Sequence, residues 1–106
     1  MNTVSRHFHL EMVPETRQAE IVVLHQLDRT NFGEFVQLVE ETRQIGRSDF
    51  TVVFQSGIGV DVVGVEVLGK MARMLDRFDG SIKVTGPSGE VLDEQCWEDL
   101  VVGLTA

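Results

Sequence analysis

Phe50-Thr-Val-Val-Phe54-Gln-Ser-Gly-Ile-Gly-Val-Asp61-Val-Val-Gly64-Val-Glu-Val-Leu68 decides the fold. Its first five residues are all β-branched or aromatic, which predicts a strand in the middle of a sheet. Gly57 and Gly59 mark a loop. Leu68, Met71, Leu75 and Phe78 then recur at helical spacing, so a helix is expected over Val63 to Phe78 with these four as its apolar stripe. Glu66, Lys70, Arg73 and Arg77 form a charged row on another face, with Glu66 and Lys70 in the favourable order for a helical ion pair. Asp79-Gly80 ends the helix.

Downstream, Ser81 to Thr85 reads as a strand and Gly86-Pro-Ser-Gly89 as a turn; Glu90 to Leu104 has room for one or two short helices. Upstream, His7 to Val13 alternates loosely up to Pro14 and predicts a first strand. Glu15 to Ala19 reads as a turn, and the compact run Ile21-Val-Val-Leu24 as a buried strand. Asn31 followed by Glu34 matches a capping box and opens a helix expected over Asn31 to Ile45. Phe32, Phe35, Val36 and Val39 share its apolar face, and Gly46 ends it after Arg43 in the last turn. The order β-β-α-β-α-β-α predicts an α/β fold. The expected sheet is mixed and roughly four-stranded, covered by helices, with Phe50 to Phe54 in the middle and the first two strands as an antiparallel hairpin.

At 106 residues the chain fits one domain, over residues 1–106. Its 42% apolar and 25% charged residues are those of a folded globular protein. The net charge of -8 disfavours nucleic acid and anionic membrane surfaces, which call for a basic face. The acid is concentrated after Gly89, where Glu90, Asp93, Glu94, Glu98 and Asp99 occur without a Lys or Arg. This is a solubilising face or a docking patch for a basic partner. The single cysteine, Cys96, precludes an internal disulfide and fits a reducing compartment. Residues 1–10 lack the apolar core of a secretory signal, and no run of 18 apolar residues exists. The expectation is a cytoplasmic protein without membrane insertion.

No catalytic motif is complete. Gly57, Gly59 and Gly64 miss the dinucleotide fingerprint, because Val62 stands where the third glycine belongs. Ser56 lacks the glycine two residues earlier that a nucleophile elbow requires. His7, His9 and His25 offer imidazoles for a zinc site but show no supporting shell. Cys96 beside Trp97 reads as a buried thiol. No enzyme, metal or cofactor is expected.

Phe50 to Phe54, the loop, and Asp61-Val62-Val63-Gly64 opening a helix together resemble the STAS domain (sulfate transporter and anti-sigma-factor antagonist). In that family an Asp-Ser-Ser-Gly motif opens the corresponding helix. Ile82-Lys-Val-Thr85 with Gly86-Pro87-Ser88 resembles the strand and turn that follow. Leu24-His-Gln-Leu27-Asp28 is similar to the family's Gly-x-Leu-Asp turn, with His25 in place of glycine. The resemblance covers about four fifths of the chain. It implies a protein-binding regulatory module, with an anti-sigma-factor kinase or a transporter subunit as partner. The alternative it implies is a cytoplasmic subunit or regulatory component of a membrane transport complex. The implied partner face comprises Gly57, Gly59, Asp61, Val62, Val63, Gly64, Glu66, Lys70, Arg73 and Arg77. Val62 stands where antagonists of this family carry a phosphorylated serine, so that modification is lost. Asp61 is expected to cap the helix. Gly64 answers to close packing or to a positive φ.

Overall fold

A computed structural model describes residues 2–4, 6–86, 88–94 and 97. Among them run β1 (Asn2–Val4), β2 (Phe8–Met12), β3 (Gln18–Val23), α1 (Phe32–Gln44), β4 (Asp49–Phe54), α2 (Val62–Asp76), β5 (Ser81–Thr85) and β6 (Val91–Leu92). The protein is an α/β fold built on one mixed sheet. Strand order in space is the order in the chain, β1-β2-β3-β4-β5-β6. The pairs β1–β2, β2–β3 and β5–β6 are antiparallel; β3–β4 and β4–β5 are parallel. β4 is therefore interior, and β2–β3 is the expected hairpin.

The register places Phe8, Leu10, Ala19, Ile21, Val23, Phe50, Val52, Phe54 and Val84 on one sheet face. All are buried and share a single core with Phe35 and Val39 of α1 and Leu68 and Leu75 of α2. Both helices lie on this face. Two right-handed crossovers that step the same way along the sheet require that.

The sheet is wider than the four strands expected, because β1 and β6 extend its edges with three and two residues. Val91–Leu92 pairs with Thr85 and Val84, which places a strand inside the segment read as helical. Cys96, Glu98, Asp99 and the remainder of that helical reading lie outside the described residues, apart from Asp93, Glu94 and Trp97. The turn read over Glu15 to Ala19 is shorter, because Gln18 and Ala19 already belong to β3.

The capping box at α1 does not form. Asn31 makes no side-chain cap and is 2% exposed. Its Oδ1 accepts from the Asp28 N–H and its Nδ2 donates to the Gln26 carbonyl, so the amide braces the loop behind the helix. Phe78 is not in the α2 stripe either. The helix ends at Asp76, Asp79 adopts φ 58°, and Gly80 N–H closes back on the Leu75 carbonyl at 2.8 Å. Phe78 thereby swings out to 52% exposure, with the Arg43 guanidinium 4.2 Å from its ring centre. Leu68 and Leu75 are buried as expected, and Met71 packs partly against the core. The other end of α1 closes as read, with Gly46 at φ 97°.

Candidate functional site

The loop from Gln55 to Asp61 leaves the carboxyl end of β4. Its first turn is closed by the Ile58 N–H donating to the Gln55 carbonyl at 3.0 Å, with Gly57 at φ 81°. That conformation suits glycine. Ser56 sits exposed on this turn. The loop is then pinned to the chain leaving β3: Leu27 N–H donates to the Gly59 carbonyl at 2.9 Å, and Asp61 N–H donates to the Leu27 carbonyl at 3.1 Å. These form an isolated parallel bridge between Leu27 and Val60, both fully buried.

Asp61 caps α2 as expected, accepting from the Gly64 N–H at 2.9 Å. Gly64 serves close packing rather than a positive φ. A Cβ there would overlap Val60 Cγ2 and come within 3.3 Å of the Leu27 carbonyl oxygen. The loop, the bridge and the first turn of α2 thus form one braced corner.

That corner presents Val62 and Val63. They are 55% and 54% exposed, although they are β-branched apolar residues at the start of a well-capped helix. Along the same helix Glu66, Lys70, Arg73 and Arg77 are all exposed. Arg73 lies 4.0 Å from Glu94, and neither Lys70 nor Arg77 has an ion-pair partner among the described residues. Of the ten residues expected in the partner face, Gly59 and Gly64 are buried and support it from below. Gly57, Val62, Val63, Glu66, Lys70, Arg73 and Arg77 are exposed, and Asp61 is half-buried by its cap.

Across the bridge, Asp28 Oδ1 accepts from both the Thr30 hydroxyl and the Thr30 N–H. The hydroxyl bond is the main reason its carboxyl is held below the usual carboxylate range. His7 and His25 approach edge to face, 5.5 Å between ring centres, while His9 lies on β2. Among the described residues no group of three His, Cys, Asp or Glu side chains is arranged to hold a metal. No described helix is long and apolar enough to cross a membrane.

No family model matches the chain, and no curated protein matches its sequence. The chemistry available at the corner is therefore the basis for a functional reading. It consists of an exposed apolar pair on a rigid support beside a row of exposed charges.

Proposed function

We propose that the chain is a non-catalytic, protein-binding regulatory module of the STAS type. Its partner face is the Gly57–Gly64 loop with the exposed side of α2. The observation that carries this reading is the exposure of Val62 and Val63 on a braced helix start. Two valines left in water at a rigid position cost the free protein stabilisation that a partner restores, about 1 kcal/mol each for the area still exposed. The arrangement of strand, loop and Asp-capped helix supports the same reading, as does the parallel pairing on either side of β4. In this reading the face is permanently competent. A serine at position 62 would accept a phosphate and with it roughly two negative charges at the interface. Valine accepts none.

The partner class implied is an anti-sigma-factor kinase or, in the transport setting, a transporter subunit. Affinity purification from the native host identifies which, and Val62→Asp then tests the face. A carboxylate buried against the partner without a counter-charge costs several kcal/mol, and about 1.4 kcal/mol is tenfold in affinity. Affinity is expected to fall at least a hundredfold. The melting temperature should hold, because a carboxylate near a helix N-terminus is mildly favourable in the free protein. Unchanged affinity would rule out the α2 corner as the partner face.

A further inference from the structure

The sheet has a second face that the two helices leave uncovered. The cross-strand row His9, Val22, Val53, Thr85 and Val91 lies on it, as does the row Glu11, Glu20, Thr51 and Lys83. Val22 and Val53 are directly paired on the two central strands, only partly buried, and absent from the apolar side chains packed on the core. Val91 continues the row at 59% exposure. Among the described residues no element lies over this face. Parallel strands are as a rule covered on both sides, whereas the described residues cover β3, β4 and β5 on one.

We propose that this open face is the docking surface for a single basic amphipathic helix of a partner protein. Charge selects the occupant. Glu11 and Glu20 face each other directly across β2 and β3, a like-charge pair that destabilises the sheet. Neither has a salt-bridge partner among the described residues. Lysine or arginine from above relieves that repulsion while apolar side chains cover Val22 and Val53. A second copy of the chain brings the same glutamates and a further net charge of -8. Size selects it too. At about 4.8 Å between strands the face from β2 to β6 is roughly 19 Å wide, and six-residue strands are about 20 Å long. One helix of about 13 residues spans either dimension. A stable dimer interface needs about 800 Å² from each copy, more than this patch of a few hundred Å² offers. The surface lies on the opposite side of the sheet from α2, so it stands or falls independently of the α2 corner.

The test uses the full chain and three blocked helical peptides of about 14 residues, roughly the 13 that span the face. One has leucine and lysine on opposite faces, one has alanine in place of leucine, and one has glutamate in place of lysine. Methyl resonances of Val22 and Val53 should shift with the leucine–lysine peptide while those of Val52 and Val84 stay. The other two peptides should bind at least tenfold more weakly. Val53→Lys should lower affinity at least tenfold, and the double change Glu11→Gln, Glu20→Gln about tenfold. The second variant removes a repulsion, so it folds even if the first does not and then decides alone. Shifts confined to Glu90–Glu94 or to α2, equal binding of the alanine–lysine peptide, or losses under twofold would overturn the proposal. So would a concentration-dependent dimer that protects Val53, which would give the face to a second copy.

Discussion

Gly64 shows how one residue holds the corner together. The space a side chain would need is filled by Val60, which is itself fully buried and too short to swing away. Gly64→Ala is therefore expected to destabilise the protein by about 1–3 kcal/mol, the usual cost of overpacking. Pairing it with Val60→Ala should recover part of that loss, and a double-mutant cycle by urea denaturation measures the coupling. Asp28 makes a prediction about pH. Its folded-state pKa is depressed by Thr30, so its contribution is present above the unfolded value near 3.8 and is lost as pH falls through the lower folded value. An NMR titration should place the Asp28 midpoint below 3.8, and Thr30→Val should move it upward. A Thr30→Val titration identical to that of the parent would show that the hydroxyl is not the cause.

Elements differ in how far the sequence betrays them. Phe50 to Phe54 was legible because five β-branched or aromatic residues have no competing reading, and α2 because its stripe and its Asp61 cap agree. Asn31 misled because asparagine serves equally as a cap or as a loop brace, and only the neighbouring carbonyl of Gln26 decides. That difference is testable. Asn31→Asp would be neutral at a helix cap, whereas here it removes the buried donor to Gln26 and should cost about 1–3 kcal/mol. An Asn31→Asp protein that melts at the parent's temperature would restore the capping reading. Phe78 kept the helical spacing but fell beyond the turn at Asp79, which spacing does not reveal. The edge strands β1 and β6 are too short for any periodicity to register; they exist because longer neighbours offer them free backbone groups. In the candidate site, the exposure of Val62 and Val63 was the part the sequence left open, since a helix start does not say which way its first turn faces.

At the scale of the whole molecule, the one tryptophan reports on the core. Trp97 is 2% exposed and donates Nε1–H to the Leu92 carbonyl at 3.1 Å, joining residues beyond β6 to the main core. Trp97→Ala should cost about 3–5 kcal/mol. In the parent protein, tryptophan fluorescence and far-UV circular dichroism should give one shared unfolding midpoint. A fluorescence transition at lower denaturant would mean that the region around Trp97 detaches before the sheet unfolds. Net charge acts on the same scale. At -8 the molecule approaches any acidic partner slowly and a basic one fast, so added salt should slow association with a basic helix.

The sheet's spatial order has a consequence for how the protein is made. Each strand is a neighbour of the one synthesised just before it, so no strand must wedge between two already joined. The sheet can lengthen at one growing edge as the chain leaves the ribosome, with each helix laid down before the next strand arrives. During growth the unpaired backbone of the sheet is confined to its two edges, the short β1 and the strand just added, which limits the open backbone a nascent chain offers to its neighbours. The hairpin β2–β3 is local, whereas the parallel pairs β3–β4 and β4–β5 join residues 31 and 32 apart (Gln18 with Asp49, Asp49 with Ser81), so closing those two pairs is expected to set the rate of refolding from denaturant.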